Sequence, residues 1–355
     1  MSNFCPAPWT DRFVRSDGTL SCCCFAKVNS ESEIENLKES FVNDVRDTRC
    51  QHCWRMENTN LKSLRQTKIE ITGLTVPPTW TNNKEAVDNI MCNVGSLCNA
   101  ECIVCNGYTS SARNEWAKTY DKKNYIRVEV KNSEDIRFAE YPNLEMITLL
   151  GGEPSIHPWV RTILSDLIAS GRAKKIDINL NTNSSSLDAK LVAQLSEFRD
   201  IFVTLSLDGV GDIFEYQRRP LQWEQVKAVA DKWMEISFNV TICYVVTAIT
   251  VWALNDFIAW YDALPRKDVT VRFDPVASVW PNELSVAVLT KEQRDHWIAT
   301  TVDHPLKADM LNIIDNIPYN SALAPMFKNK IQIEDQTAGK KFAEIFPNWN
   351  LDEKT

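Results

Sequence analysis

Three cysteines crowd one short stretch of this chain: Cys98, Cys102 and Cys105 in "LCNAECIVCN", spaced C-x3-C-x2-C. Structural zinc takes four ligands, drawn from Cys-x2-Cys half-sites or from histidines. The chain has four histidines, His52, His157, His296 and His304, and none lies near this stretch. Cys92, in "AVDNIMCNV", reads as a strand residue. Three thiolates without a fourth suit a cubane iron–sulfur cluster that keeps one iron open, because thiolates are the usual protein ligands of such clusters. A zinc knuckle is the competing reading of this stretch taken alone.

The other cysteines are not scattered. Cys5, Cys22, Cys23, Cys24, Cys50 and Cys53 fall in the first 53 residues, and Cys243 stands by itself. "MSNFCPAPWTDRF" shows neither a basic n-region nor an apolar h-region, so a secretory leader and disulfides are not expected. A cytoplasmic setting is the expectation. Two groups of cysteines imply two metal sites, with Cys92 and Cys243 as buried structural thiols.

Composition bounds the rest. The chain has 355 residues, 44% hydrophobic and 24% charged, as expected of a globular protein. A net charge of −8 and a pI near 5.2 argue against a bulk electrostatic grip on nucleic acid, though a local basic patch stays open. The most apolar stretch, "VTICYVVTAITVWAL", is too short and too threonine-rich to span a bilayer and reads as a strand running into a helix.

Strands and helices alternate from about residue 87 onwards. "AVDNIMCNV", "EMITLLGGEP", "KKIDINLNTN", "DIFVTLSLDGVG", "SFNVTICYVVT" and "DVTVRFDPV" read as strands. A polar helix follows the cysteine stretch, and "HPWVRTILSDLIAS", "LDAKLVAQLSEF", "LQWEQVKAVADKWME" and "VWALNDFIAWYDAL" read as further helices. This rhythm predicts parallel pairing with right-handed crossovers. Six such units are fewer than the eight of a closed barrel, so an open, partial (β/α)6 TIM-like barrel is expected. Only 10 glycines occur, and Gly151, Gly152, Gly209 and Gly211 fall where strands end, the edge that binds ligands in parallel α/β folds. Glycine there lets a ligand approach the backbone. Because the cysteine stretch also follows a strand, it and "GGEP" are expected at one mouth. The tail carries a helical "TKEQRDHWIATTVD" and an end segment "KKFAEIFPNWN" that would cap the barrel.

"LCNAECIVC" after the first of these strands, "LLGGEP" after the second, "NLNTN" after the third and "LSLDG" after the fourth resemble the radical S-adenosylmethionine (SAM) superfamily, over roughly residues 87–275. The first 67 residues are similar to the small twitch module of the SPASM/twitch branch. The matching pieces are "FCPAPW", "DGTLSCCC" and "CQHCWRMENTNLKSLR". In the more familiar arrangement that module follows the barrel; here it precedes it. The resulting division is a cysteine-rich iron–sulfur module at 1–67, a linker at 68–86, a partial barrel at 87–275 and a capping extension at 276–355.

The resemblance implies that Cys98, Cys102 and Cys105 hold a [4Fe–4S] cluster whose fourth iron chelates SAM, releasing a 5′-deoxyadenosyl radical that takes a hydrogen atom from substrate. Gly151, Gly152, Glu153 and Pro154 match the motif that meets the methionine amino group. Asn181, Thr182, Asn183, Ser206 and Asp208 end strands where ribose and methionine would lie, with helix capping as the plainer role for Ser184 to Ser186. Arg218 or Arg219 is a candidate fork for the methionine carboxylate, with a surface arginine as the competing reading. In the module, Cys5, Cys23, Cys50 and Cys53 would fully ligate an auxiliary [4Fe–4S] cluster, Cys22 and Cys24 being rivals of Cys23. A four-cysteine zinc site fits the same spacing. Trp9 and Trp54 read as packing around it.

The expected activity is radical chemistry on a C–H bond of a peptide or small molecule, fed by an electron donor such as flavodoxin or ferredoxin. No side chain stands out as acid, base or hydrogen donor. A zinc-stabilised scaffold and a nucleic-acid modifying radical SAM enzyme are the alternative classes.

Overall fold

The computed structural model describes residues 2–78, 84–127, 138–276, 282–347 and 349. The fold is α/β with a mostly parallel sheet. The chain divides into two compact units: Met1–Leu97, Glu129–Asn181 and Asp188–Phe202 in the first, and Cys98–Val128, Thr182–Leu187 and Val203–Thr355 in the second.

The first unit carries β1 (Asp11–Val14), β2 (Leu20–Ser21), β3 (Asn89–Asn93), β4 (Met146–Leu150) and β5 (Asp177–Thr182), in the order β2-β1-β3-β4-β5. β1 and β2 are antiparallel, and every other pair is parallel. Register sorts the side chains by period two. Ile90, Ile147 and Ile178 stand in one row and Cys92, Leu149 and Leu180 in the next, all buried. Asn89, Asn93, Asn179 and Asn181 occupy the opposite, half-buried face. Helix Pro158–Ala169 sends Val160, Ile163, Leu164 and Leu167 into the core at helical spacing. It starts cleanly because Pro158 sits at its first position and the His157 ring accepts from the Trp159 N–H at 3.2 Å.

The amino-terminal residues of this unit form their own core of Phe4, Trp9, Val28, Ile34, Phe41 and Trp54, among others. Helix Glu31–Val42 supplies Ile34, Leu37 and Phe41 and is capped by Ser30, whose hydroxyl accepts from the Glu33 N–H. Helix Leu64–Thr72 opens on a Ser63/Gln66 capping box and stops at Gly73, φ +68°. β1 was not expected from the sequence. All four of its residues are buried, so it shows no alternation, and it pairs directly with β3.

β6 (Ile201–Ser206) begins in the first unit and ends in the second. The second unit contains β7 (Asn239–Val246) and β8 (Thr270–Pro275), which are parallel with Cys243 opposite Arg272. Helices Ser111–Tyr120, Trp223–Ile236 and Leu254–Asp262 lie where the pattern predicted helices, and Gly211–Gln217 is a further short helix that the pattern did not mark. Tyr244, Phe257, Trp233 and Phe214 are buried within this unit. The carboxyl-terminal residues form helices Lys291–Thr300, Pro305–Asn316, Ala324–Glu334 and Phe342–Ile345. No helix among the described residues is long and apolar enough to cross a membrane.

Candidate functional site

The cysteine loop of the second unit is fastened at both ends. Ser110 caps helix Ser111–Tyr120, accepting from the Arg113 N–H at 3.0 Å, and donates its hydroxyl to the Ala100 carbonyl at 2.7 Å. The Cys98 N–H donates to Ser111 Oγ at 3.2 Å. Along its middle the loop is braced by the segment that ends helix Gly211–Gln217. The Glu101 N–H donates to the Arg219 carbonyl at 2.5 Å, and the Ile103 N–H to that of Gln217 at 2.9 Å. The loop therefore inherits the position of Gln217–Arg219.

Donors converge on the sulfurs. Cys98 Sγ accepts from the Ala100 N–H at 3.4 Å and from Asn183 Nδ2 at 3.9 Å. Asn183 Nδ2 also donates to Asn99 Oδ1 at 3.0 Å. Arg218 Nη1 donates to Cys102 Sγ at 3.7 Å. The same guanidinium is held by the fully buried Asp208, Nη2 to Oδ1 at 2.9 Å and Nε to Oδ2 at 2.8 Å. Asp208 Oδ1 also accepts the Val245 N–H at 2.9 Å, which ties the pair to β7. The hydrogen bond from Cys105 and then the charge of Arg218 hold the Cys102 thiol down at about 7 against its burial. Cys105, the donor of that bond, is pushed up.

This donor set fits a cubane better than a single ion. Among the described residues, no three Cys, His, Asp or Glu side chains converge on one point where a metal ion would sit. A [4Fe–4S] cluster does not ask for that, because each thiolate takes a different iron. What it asks for is soft ligands, with hydrogen bonds and positive charge beside the sulfurs. Cys98, Cys102 and Cys105 with Asn183 and Arg218 supply them.

Gly151, Gly152, Glu153 and Pro154 lie in the first unit, and there the glycines answer to the chain's own backbone. The Gly152 N–H donates to the Gly95 carbonyl at 2.7 Å and the Glu153 N–H to the Leu97 carbonyl at 2.8 Å. A Cβ on Gly152 would lie 2.1 Å from the Leu97 oxygen, and one on Gly151, at φ +141°, 2.5 Å from the Gly95 oxygen. The motif is thus clipped to the segment that leads into Cys98. Glu153 is fully buried and its Oε1 accepts the Ser155 N–H at 3.0 Å, capping the turn at Pro154. Asn181 lies near the end of β5 on the half-buried face, and Ser206 ends β6. Thr182 is buried, and its hydroxyl accepts the Ser184 N–H at 3.0 Å.

Cys5, Cys23, Cys50 and Cys53 come together in the amino-terminal core, where they line one pocket with Cys22 and Phe25. Burial pushes the Cys53 thiol up to about 11 and raises Cys5 and Cys50 as well, and charge on Cys23 adds to each. Cys23 is the exception. Its sulfur is held at about 7, first by the hydrogen bond from Cys22, and it accepts the Ala26 N–H at 3.3 Å. Cys22 is 1% exposed and packed in the apolar core, and Cys24 does not line the pocket. Trp9 and Trp54 belong to that core, as expected of packing residues.

Residues 92–262 match the model of the Radical SAM superfamily. The chain carries a radical SAM domain. With that domain the protein is an enzyme. No curated protein is significantly similar to the chain. Among solved structures, "Native anSMEcpe with bound AdoMet" is 20% identical, covers 65% of this chain and 63% of its own, and has a TM-score of 0.43. The Streptococcus suis SuiB structure bound to S-adenosylmethionine is 14% identical, covers 81% and 66%, and has a TM-score of 0.37. SuiB bound to the precursor peptide SuiA is 12% identical, covers 96% and 88%, and also scores 0.37. The chain thus spans under two thirds of the first of these proteins, and at such scores the superfamily match is the finding that bears on function.

Within the radical SAM domain the sequence pointed to the cysteines, to Asn183, to Asp208 and to Arg218, but not to the contacts among them. Arg218, a candidate for the methionine carboxylate, is engaged by Asp208 and Cys102. Arg219, its alternative, faces Glu334. Asn99, which shares the Asn183 amide, carried no signal beyond its place between Cys98 and Cys102.

Proposed function

We propose that the protein is a radical SAM enzyme with two [4Fe–4S] clusters, one on Cys98, Cys102 and Cys105 and an auxiliary one on Cys5, Cys23, Cys50 and Cys53. The observation that carries this reading is the three-cysteine loop whose sulfurs receive Asn183 and Arg218, inside the matched region. When bound, the three-cysteine cluster supplies the electron for reductive cleavage of SAM, whose adenosyl fragment then abstracts a hydrogen atom from substrate. The chain's own part is to hold and shield. Asp208 fixes Arg218 beside Cys102, Asn183 donates to Cys98, and the Gly151–Pro154 turn sets the backbone entering the loop. Asn181 and Ser206 would offer polar groups to SAM. Four thiolates leave an auxiliary cluster no open iron, so that cluster would pass electrons or simply tie its module together.

In this reading residues 1–67 are the auxiliary module, 68–86 a linker, 87–275 the partial (β/α)6 barrel and 276–355 an extension. The substrate is a peptide or a small molecule, and the electron donor a low-potential carrier such as flavodoxin or ferredoxin. The test is anaerobic purification, metal and sulfide analysis, and replacement of Cys98, Cys102 and Cys105 together by alanine. About half the iron should go, with loss of 5′-deoxyadenosine formation under dithionite. Zinc in place of iron, or cleavage of SAM by the triple variant, would overturn the proposal.

A further inference from the structure

Helix Ala324–Glu334 of the second unit ends on a carboxylate that is 0% exposed. Three cations surround Glu334. Arg113 reaches both oxygens, with Nη1 3.0 Å from Oε2; Arg219 Nη2 binds Oε2; and Lys330 Nζ lies 3.0 Å from Oε1. Arg219 Nη1 also donates to the Glu334 carbonyl at 2.6 Å and to Thr337 Oγ1 at 3.2 Å. A buried carboxylate needs such partners, and so do the guanidinium groups; removing one member strands the others. An ion cluster of this kind would ordinarily just fasten a helix to the fold.

Here both arginines also hold the cysteine loop. Arg113 follows it on helix Ser111–Tyr120, and its Nη1 lies 3.5 Å from the Glu101 carbonyl. The Arg219 carbonyl accepts the Glu101 N–H. Glu101 stands between Cys98 and Cys102, and Arg219 directly follows Arg218, which donates to the Cys102 sulfur. The loop is therefore gripped from both sides by arginines whose positions one carboxylate sets.

We propose that Glu334 is a positioning residue for the three-cysteine cluster: through Arg113 and Arg219 it fixes the Glu101 backbone and the placement of Arg218 beside Cys102. This rests on the reading that the loop holds a cluster, and it gives the carboxyl-terminal extension a task in that site. In the reconstituted full chain, Glu334→Gln keeps the shape and removes the charge. Iron loss from the loop cluster to a chelator, followed by the SAM-dependent change in its electron paramagnetic resonance spectrum, should be about tenfold faster, the low end for a partner behind a ligand. The auxiliary cluster should be retained at the wild-type rate. Release at the wild-type rate with an unaltered spectrum, or equal loosening of both clusters, overturns the proposal. If Glu334→Gln does not fold, Arg219→Lys decides, since it keeps the charge but loses the fork that reaches both Glu334 and Thr337. Faster release from the loop cluster alone supports the role, and unchanged release overturns it. Wild-type protein with no iron on the loop would instead refute the cluster reading itself.

Discussion

Arg218 lies between Cys102 and Asp208: its Nη1 is 3.7 Å from the sulfur and its Nη2 is 2.9 Å from Oδ1 of the carboxylate. The guanidinium is buried, so its charge is poorly screened and its aim is set by Asp208. A positive charge beside a ligand sulfur favours the more negative, reduced form of a cluster. Hydrogen bonds to sulfur and local charge are the levers by which proteins set cluster potentials.

Arg218→Gln should therefore move the midpoint potential of the loop cluster to more negative values and lower turnover about 10–100-fold. A redox titration followed by electron paramagnetic resonance reads the first effect. A midpoint equal to that of wild type would show that the arginine only packs.

Asp208→Asn poses a different question, because it leaves Arg218 charged and without its partner in a buried place. Breaking one half of such a pair costs about 3–5 kcal/mol. Denaturant unfolding under anaerobic conditions should show that loss. Pairing it with Arg218→Met should recover part of it, and a double variant no more stable than Asp208→Asn would contradict the pairing.

Gly152→Ala tests why the glycine pair is there. The added Cβ meets the backbone carbonyl oxygen of Leu97 at 2.1 Å, and no side-chain rotation relieves that contact. Overpacking of this kind costs about 1–3 kcal/mol, and the segment entering Cys98 should shift with it. The variant should melt lower and hold iron on the loop less well. Wild-type melting would mean that the strand end has room to move.

Much of this architecture is legible as pattern. Ile90 and Cys92 in β3 and Ile178 and Leu180 in β5 alternate strictly with half-buried neighbours, Ile147 and Leu149 of β4 stand in register between them, and Val160, Ile163, Leu164 and Leu167 make a helix of plain amphipathic spacing. β1 has no such signature: Asp11, Arg12, Phe13 and Val14 are all buried, and Arg12 is satisfied by Glu31 at 2.9 Å. The cysteines are legible because the chemistry demands their type and spacing. Glu334 and Arg113 are 221 residues apart in the chain, and nothing local to either marks the other. Gly151 and Gly152 are legible as special, but a close approach by the protein's own backbone looks in sequence just like one by a ligand.

Asp47 gives the amino-terminal module a pH dependence. Its carboxylate accepts from Arg49 Nε at 2.9 Å, Nη2 at 2.7 Å and the backbone N–H at 2.8 Å, and from Ser40 at 2.8 Å. Its carbonyl accepts Trp54 Nε1 at 2.7 Å, so the turn carrying Cys50 depends on it. The hydrogen bonds from Arg49, ahead of the other causes, hold the carboxyl at about 2, below its ordinary 3.8. A depressed carboxylate stabilises the fold fully above its ordinary value and loses that contribution as pH falls through the folded one. Asp47→Asn should be less stable than wild type at neutral pH, with the gap closing between about pH 4 and pH 2. Urea midpoints across that range measure it, and a gap that does not change with pH would remove Asp47 from the account.

The auxiliary cluster is best tested where the fold can survive its loss. Cys50 lies at the end of a short 3-10 turn and Cys53 in the helix Gln51–Asn58 that follows it. Around them the apolar core of Phe4, Trp9, Ile34, Phe41 and Trp54 remains. Cys50→Ala with Cys53→Ala should leave the loop cluster and its cleavage of SAM intact while halving the iron. If product formation also stops, the auxiliary cluster acts after hydrogen abstraction, most simply by taking the electron that a substrate radical must lose in a net oxidation. If product formation continues and only the melting temperature drops, the cluster is a tie for a small module, as metals are in domains whose cores are too small to fold alone. Mössbauer spectra of the wild-type protein set the frame for both outcomes. Two cubanes per chain are expected, and a single one would mean that Cys5, Cys23, Cys50 and Cys53 hold no cluster.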